Sequence, residues 1–210
     1  MKIITYSDLH LEFGAEFLLP PDTDADVLVL AGDVITFRDY SPLNDLLNKW
    51  EKPVIYVAGN HEYYAAPPIT QAEKEFREWL VEHYPNVKFL QNESVTVNGV
   101  HFFGGTMWTD FSHANPLAMQ VAQQQINDFR FIHSTPDKRL KPEDTVQMHN
   151  TFVKELIQWF KSPLAGSRIV VTHHAPVINQ QTQHGASPLQ PAFNSLDMVA
   201  IIDKLSTQHI

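Results

Sequence analysis

The sequence predicts a layered α/β protein with a mainly parallel sheet and a second, antiparallel sheet. Apolar runs such as residues 27–30 have no polar interruption, which is typical of strands buried on both faces. Segments with helical spacing separate several of these runs, and this alternation favours parallel pairing. Further along, short strands follow one another without helices around Asn98-Gly99, a dipeptide that favours tight hairpins.

The elements of the parallel sheet are spread over the whole chain. Strands are expected at residues 2–6, 27–30, 53–57 and 168–171. Helices are expected at residues 39–50, 71–83, 143–161 and 196–205, where apolar side chains recur at three- and four-residue intervals. Residues 11–19 predict a helical or irregular piece, which Pro20 and Pro21 end.

The second sheet is expected to contain three consecutive strands at residues 87–90, 94–97 and 100–104. Strands that follow each other without an intervening helix imply antiparallel pairing. Residues 106–142 come next, and their apolar side chains follow neither the helical spacing nor the two-residue alternation of a strand cleanly. Within them, 114–129 has helical character. This aromatic-rich stretch suits a cap that selects the substrate. The alternative is a surface segment that packs on the domain and buries its own aromatic side chains.

Length and charge restrict the class of protein. A chain of 210 residues supports one sizeable core, so we expect a single domain over residues 1–210 with 106–142 as an insert. With 15 basic and 24 acidic residues, a formal charge of −9 and no basic run, a nucleic-acid-binding face is not expected. The chain has neither a signal peptide nor the roughly 20 apolar residues that span a bilayer. We therefore expect a cytoplasmic protein with no membrane partner; the oligomeric state stays open.

The available metal ligands are nitrogen and oxygen donors. The chain has no cysteine, which excludes thiolate sites and disulfides, but it has 11 histidines. Imidazole, carboxylate and amide groups suit Mn, Fe, Zn, Co or Ni. Bound cations would also let an acidic protein accept a small phosphorylated substrate.

Polar side chains of this kind follow four predicted strands. The four strand ends read Asp8-x-His10, Gly32-Asp33, Gly59-Asn60-His61 and His173-His174. Ligands of open α/β sheets bind beyond the carboxyl ends of strands, so we expect these groups to converge at one sheet edge. Their donor types predict a divalent metal site.

Two cations fit this set better than one, because a carboxylate can bridge ions about 3.5–4 Å apart. Asp8 and His10 alternate along a segment expected to be extended and serve one ion. Asn60 and His173 serve the other, and Asp33 is the bridge. Water held between two cations is deprotonated near neutral pH, and the resulting hydroxide attacks phosphorus.

A hydrolytic reaction of this kind also needs a proton for the leaving oxygen. His61 follows the predicted ligand Asn60 directly, and a histidine in that position suits a general acid. The residues therefore predict a metal-dependent phosphoester hydrolase, either a phosphatase or a phosphodiesterase.

The same four segments resemble motifs of the calcineurin-like metallophosphoesterases. The resemblance rests on Asp8-x-His10, Gly32-Asp33, Gly59-Asn60-His61-Glu62 and Thr172-His173-His174-Ala175-Pro176, in the order in which the family has them. It implies a four-layer αββα sandwich with a binuclear Mn, Fe, Zn or Ni centre. It also implies that Asp8, His10 and Asp33 bind one metal, that Asp33, Asn60 and His173 bind the second, and that His61 is the acid or transition-state stabiliser.

The chain departs from the family pattern at two places. Thr36 and Phe37 stand where a subgroup of protein phosphatases carries an aspartate and a phosphate-binding arginine, which disfavours that subgroup. Arg38 or Arg130 could substitute only if the fold brings one of them to the site. The family's fifth motif, Gly-His-x-His, is not in this sequence.

Two interpretations of the missing motif follow. We expect the chain to be a truncated form of a longer protein, with two metals in the intact protein and weak or partial occupancy here. The alternative is a catalytically impaired scaffold or binding protein whose binuclear site is incomplete.

Neighbours of the predicted ligands have simpler expected roles. Glu62 is expected to orient adjacent groups by hydrogen bonding, and His174 to pack behind the site. Tyr63 and Tyr64 either line the mouth of the site or cap a loop.

Overall fold

The computed structural model describes residues 1–14, 17–20, 23–177, 187–195 and 198–207. The first sheet contains, in spatial order, β1 (Ile3–Tyr6), β2 (Val27–Ala31), β3 (Val54–Val57) and β4 (Val87–Phe89). All its neighbouring strands are parallel, and Leu28 of β2 pairs with Ile4 on one side and Val54 on the other. The strands expected at residues 2–6, 27–30 and 53–57 are therefore confirmed.

A second sheet lies behind the first. Its hairpin joins β5 (Glu93–Val97) to β6 (Val100–Gly105) through Asn98 and Gly99, whose φ angles of 49° and 77° suit the predicted tight turn. A small separate hairpin of β7 (His133–Thr135) and β8 (Lys138–Arg139) follows in the chain. The last strand, β9 (Arg168–Thr172), pairs parallel with β6 and completes the second sheet.

Two sheet assignments from the sequence are wrong. The strand expected at 87–90 belongs to the first sheet, because helix α2 (Ile69–His83) precedes it and returns the chain to pair parallel with β3. The strand expected at 168–171 belongs to the second sheet, because helix α6 (Pro142–Phe160) precedes it and returns the chain to β6. Each strand is real, but hydrophobic runs alone do not say which sheet a crossover rejoins.

The helices lie on the outer faces of the two sheets. They are α1 (Asn44–Leu47), α2 (Ile69–His83), α3 (Phe111–Ala114), α4 (Pro116–Gln125), α5 (Asp128–Phe131), α6 (Pro142–Phe160) and α7 (Met198–Thr207). Helices α2 and α6 confirm the segments expected at 71–83 and 143–161. Residues 39–50 form only α1 and a 3-10 turn at Ser41–Leu43, so the longer helix expected there is wrong. The Trp50 ring N–H donates to the carbonyl of Pro53 at 3.2 Å, where the chain enters β3.

The remaining predicted helical segments are only partly covered by the described residues. Helix α7 covers most of the segment expected at 196–205, but residues 196 and 197 lie outside the described residues. In segment 11–19 the structure has a 3-10 turn at Leu11–Phe13. In the described ranges, no helix is long and apolar enough to cross a bilayer.

Three hydrophobic cores show how the layers are stacked. Leu28 and Leu30 of β2 pack with the α2 side of the first sheet, whereas Val27 and Val29 point to the opposite face. That opposite face meets Phe102 of β6, so the two sheets share the middle core. The other face of the second sheet packs on α6 and α7. The order helix, sheet, sheet, helix confirms the predicted αββα sandwich.

An unusual backbone segment occurs between β6 and α4. The four residues of α3 all have positive φ angles, 50° at Phe111, 52° at Ser112, 64° at His113 and 58° at Ala114. They form a turn of left-handed helix, a conformation that costs L-residues roughly 1–2 kcal/mol each. The cost must be offset by contacts around the turn.

Those contacts come from both ends of the left-handed turn. The side chain of Asp110 accepts hydrogen bonds from the backbone N–H groups of Ser112 at 3.2 Å and His113 at 3.0 Å. The carbonyl of Asp110 accepts from the N–H of Ala114 at 2.7 Å. Phe111 is buried and its ring lies 6.4 Å from that of Phe129. The aspartate cap and the buried ring hold the strained residues in place.

We expect Ala114→Gly to raise the free energy of unfolding by about 0.5–1 kcal/mol, because glycine removes the left-handed penalty and loses part of that gain to unfolded-state entropy. The matched control is Gln120→Gly, at an exposed position of the right-handed helix α4, which should lower stability by about 1 kcal/mol. Urea titrations of both variants measure the difference. Equal destabilisation by the two glycines would contradict a strained turn.

Candidate metal centre

The carboxyl ends of β1, β2 and β3 meet at one edge of the first sheet. The loop after β1 is tied to the loop after β2, since Asp8 N donates to Gly32 O and His10 N donates to Asp33 O, both at 3.0 Å. The fourth polar strand end arrives from the second sheet, where His173 follows β9. Its Nδ1 lies 2.9 Å from the carbonyl of Ala31. The expectation that all four ends share one sheet edge is therefore wrong, but the groups still converge.

The segment that carries Asp8 and His10 is not extended, as the sequence had suggested. Both residues have positive φ angles, 56° and 46°, and so does Asp33 with 55°. Three non-glycine residues in the left-handed region within one cluster are costly, and such strain concentrates at functional sites. The kinked backbone turns these side chains toward a common centre.

Asp33 is the common member of two clusters of possible metal ligands. Its carboxylate is 5% exposed and lies between the two sheets. Donor atoms of Asp33, Asp8 and His173 lie within 4.8 Å of one another, and so do those of Asp33, His10 and His61. One oxygen of Asp33 lies 3.4 Å from His173 Nε2, and the other lies 3.9 Å from His10 Nε2. The carboxylate thus faces both groups at once.

The orientation of His173 follows from its contact with Ala31. A backbone carbonyl only accepts hydrogen bonds, so His173 Nδ1 carries a proton and donates to it. In the neutral ring, Nε2 then presents a lone pair toward Asn60 Oδ1 at 3.2 Å and Asp33 Oδ1 at 3.4 Å. Three acceptors that face one another are satisfied by a cation between them. Carboxylate, amide oxygen and imidazole nitrogen together fit the divalent metals that the family implies.

Two glycines make this convergence possible. A Cβ on Gly32 would lie 2.5 Å from His173 Nδ1, and a Cβ on Gly59 would lie 2.1 Å from Asp33 Oδ1. Both distances are shorter than any tolerated contact. Glycine is required at both strand ends because the side chains of the site occupy the space that a Cβ would need.

Glu62 holds the loops after β2 and β3 together. It is fully buried, and its carboxylate accepts from the backbone N–H groups of Asp33 at 2.9 Å, Val34 at 2.9 Å and Gly59 at 2.8 Å. Its fourth donor is the hydroxyl of Tyr56 at 2.8 Å. The predicted orienting role of Glu62 is confirmed by these four bonds.

The two buried carboxylates both have a raised proton affinity. Burial raises the pKa of Glu62 to about 7, and the charge of nearby Asp33 adds to the effect. Burial also raises the pKa of Asp33, while the neighbouring His173 lowers it. Two such carboxylates beside each other concentrate negative charge, which favours a cation at Asp33.

His61 belongs to the cluster that contains His10 rather than to the one that contains His173. Its backbone N–H donates to Asp33 Oδ1 at 2.9 Å, and its ring stacks on Tyr64 with 4.2 Å between centroids. The ring Nδ1 lies 3.5 Å from Glu12 Oε1. Burial lowers the pKa of His61, and the charge of His10 lowers it further, whereas Glu12 opposes the shift.

Glu12 was not anticipated from the sequence. The same Oε1 that faces His61 lies 3.3 Å from His10 Nδ1, so this carboxylate is shared by two histidines of the site. A carboxylate behind histidines is a common way of fixing their ring orientation. The spacing His10-x-Glu12 was the available signal.

Asp128 and Tyr64 also join the site. Asp128 is 8% exposed and belongs to the segment 106–142. Its Oδ1 accepts from Asn60 Nδ2 at 2.8 Å and from the hydroxyl of Tyr64 at 2.5 Å. Tyr64 therefore lines the site, whereas Tyr63 is fully buried and bonds to Glu73 at 2.8 Å.

His174 lies behind the cluster among buried groups. Burial lowers its pKa to about 3, and its ring lies 5.4 Å from that of Trp108. Its Nδ1 faces the carbonyl of Thr106 at 3.3 Å. These contacts agree with the packing role expected for it.

The converging side chains open into a cavity of about 640 Å³. A second wall of the cavity is built from the C-terminal end of α4, residues 126 and 127, and residues in and around the 3-10 turn at Gln190–Ala192. Among its described lining residues there is no lysine or arginine. Arg38 instead lines a neighbouring cavity beyond His61 and Tyr64, and the guanidinium of Arg130 donates to the carbonyl of Gln124 at 2.5 Å.

Comparison with known proteins identifies the class to which this site belongs. The family model described as calcineurin-like phosphoesterase matches residues 1–202, so the chain belongs to that family. Its members are metal-dependent phosphoester hydrolases, and the αββα fold and the His/Asp clusters agree with that class.

Two particular relatives are informative. The uncharacterized protein L509 of Acanthamoeba polyphaga mimivirus is 28% identical over 235 residues, which cover 98% of this chain and 79% of the viral protein. The crystal structure of phosphopantetheinyl hydrolase (PptH) from Mycobacterium tuberculosis is similar with a TM-score of 0.65. That match has 18% identity and covers 94% of this chain and 76% of the mycobacterial one, so it supports the fold.

We expect Glu62→Ala to lower the free energy of unfolding by about 4 kcal/mol, because it leaves three backbone donors and the Tyr56 hydroxyl buried without an acceptor. Glu62→Gln keeps an acceptor oxygen and removes the buried charge, so its loss should be clearly smaller. Glu78→Ala, on the exposed face of α2, is the surface control and should change stability by less than about 0.5 kcal/mol. Urea titrations measure the free energy of unfolding of each variant. If Glu62→Ala lost no more stability than Glu78→Ala, the role given to this carboxylate would be contradicted.

Proposed function

We propose that the protein is a binuclear metallophosphoesterase that hydrolyses small phosphoesters. Asp8, His10 and Asp33 hold one divalent cation, and Asp33, Asn60 and His173 hold the second. The observation that carries this proposal is that Asp33 belongs to both clusters of possible ligands and faces His10 with one oxygen and His173 with the other. In these clusters Asp8 groups with His173 and His10 groups with His61, so the pairing of Asp8 with His10 rests on the family resemblance. When bound, such cations supply the positive charge that activates water and neutralises phosphoryl oxygens.

The protein's own groups account for the remaining requirements of the reaction. The backbone N–H of His61 fixes one oxygen of Asp33, and Glu62 fixes the loop from which Asp33 projects. His61 is the group that donates a proton to the leaving oxygen, and its stacking on Tyr64 and contact with Glu12 limit its ring orientation. The cavity of about 640 Å³ suits a small phosphorylated substrate rather than a protein surface.

We expect the Mn-loaded protein to hydrolyse p-nitrophenyl phosphate or bis-p-nitrophenyl phosphate, and Asp33→Asn to abolish turnover. The matched control is Asp137→Asn, an exposed aspartate in the segment 106–142, which should retain activity. Release of p-nitrophenolate with purified protein measures both. Absence of turnover with every phosphoester tested would instead favour the alternative, a metallophosphoesterase-fold binding protein without catalysis.

The proposed acid role of His61 has a separate test. We expect His61→Gln to slow hydrolysis of phenyl phosphate by about 10²–10⁴-fold, because phenolate is a poor leaving group that needs a proton. p-Nitrophenolate leaves without one, so the same variant should affect p-nitrophenyl phosphate much less. An equal loss of kcat for the two esters would assign His61 to another role.

A further inference from the structure

Among the described residues, the wall of the cavity that faces the metal cluster carries no charged side chain. It contributes apolar side chains and side-chain amides, namely Ile126, Leu189, Ala192 and Phe193 together with Gln125, Asn127 and Asn194. The cavity's described carboxylates, those of Asp8, Asp33 and Asp128, all lie on the cluster side. An anionic group on the substrate's far end would therefore find no cation on this wall.

Between Arg168 and Lys204 the chain contains no lysine or arginine. This stretch includes the wall residues 189–194. The wall itself is anchored to the end of β9, since Ser195 N donates to Ala175 O at 3.1 Å and Ala175 pairs with Asn194.

We propose that the substrate is a phosphoester whose remaining part is uncharged and combines apolar groups with amide or hydroxyl groups. This inference rests on the proposed function and specifies its substrate class. Apolar residues bury the body of such a substrate, and the amides of Gln125 and Asn127 supply donors and acceptors for its polar groups. A polyphosphate or carboxylated substrate loses hydration at this wall without gaining an ion pair.

The test uses two isosteric phosphonates that cannot be hydrolysed, 4-carbamoylbenzylphosphonate and 4-carboxybenzylphosphonate. We expect the Mn-loaded protein to bind the neutral amide at least about fivefold more tightly than the carboxylate, the size of one weak ionic interaction. Isothermal titration calorimetry gives both dissociation constants without requiring turnover. Equal or tighter binding of the carboxylate overturns the proposal, as does failure to bind either compound.

A pair of charge variants locates the effect. Gln125→Arg puts a cation on the uncharged wall and should remove or reverse the preference for the amide. Gln120→Arg adds the same charge to the same helix outside the cavity and should leave the preference unchanged. An equal effect of both variants would trace the preference to overall charge rather than to the wall. Binding with this preference but without hydrolysis of any ester would refute the proposed function alone.

A different observation, the hydrogen bonding of Asn60, carries a second inference. An amide can face the cluster with either its oxygen or its NH2 group, and only the oxygen binds a cation. Asp128 Oδ1 accepts from Asn60 Nδ2 at 2.8 Å, so the opposite orientation would set two oxygens against each other. The hydroxyl of Tyr64 donates to the same Asp128 oxygen at 2.5 Å and fixes the carboxylate.

We infer that Asp128 is a positioning residue that sets the amide of Asn60 with its oxygen toward His173 and Asp33. This inference also rests on the proposed function, in which Asn60 is a ligand. It gives the segment 106–142 a direct part in forming the site, since Asp128 lies 68 residues beyond Asn60 in the chain. The amide oxygen that results lies 3.2 Å from His173 Nε2.

We expect Asp128→Ala to weaken Mn²⁺ binding by about 10–100-fold, the usual effect of removing a group that orients a ligand. Asp128→Asn keeps an acceptor oxygen and should bind Mn²⁺ more tightly than Asp128→Ala, while Tyr64→Phe should have a smaller effect than either. The control Asp137→Ala removes an exposed charge from the same segment. Titration followed by the electron paramagnetic resonance signal of free Mn²⁺ measures all four variants.

The outcomes separate orientation from simple charge. Equal weakening by Asp128→Asn and Asp128→Ala would indicate a long-range charge effect and overturn the inference. A second readout needs no metal: the side-chain amide protons of Asn60 should exchange slowly with solvent in NMR spectra and lose that protection in Asp128→Ala. Unchanged protection overturns the inference, whereas intact protection in a protein that binds no Mn²⁺ would count against the proposed function instead.

Discussion

The site depends on one buried carboxylate, that of Glu62. It accepts hydrogen bonds from three backbone N–H groups and so ties the loop after β2 to the loop after β3. The hydroxyl of buried Tyr56 donates the fourth bond. Without an acceptor there, the strand-end loops would have several buried donors unpaired. The charge of Asp33 raises the pKa of the same carboxylate, so a cation at Asp33 would relieve the repulsion between the two groups.

The convergence of ligands is a property of both sheets rather than of one sheet edge. Asp33 and Asn60 come from the parallel sheet, while His173 arrives from the second sheet and bonds back to Ala31. The glycines at positions 32 and 59 let these parts approach so closely. The packing of sheet on sheet therefore controls the distances within the site, which links the middle hydrophobic core to the proposed chemistry.

Local sequence signals predicted most strands, the two long helices and the residues that converge. Strand runs such as 27–30 and strand-end polar groups such as Asp33 are visible because their causes lie within a few residues. The sheet membership of β4 and β9 was not predictable in this way, since it depends on where a helical crossover returns the chain. Asp128 was expected only as a residue of the possible cap at 106–142, and its bond to Asn60 was missed for a similar reason. Asn60 is distant in sequence and meets Asp128 only after α4 and α5 have packed.

The left-handed turn at Phe111–Ala114 has a consequence for the chirality of the chain. Its backbone occupies the region of φ and ψ that mirror-image amino acids prefer. A D-residue therefore has a lower conformational energy there than an L-residue, the reverse of the usual case. In a protein assembled by chemical ligation, D-alanine at position 114 would adopt its own relaxed conformation. The turn is thus a point where a single inverted stereocentre fits the fold better than the natural one.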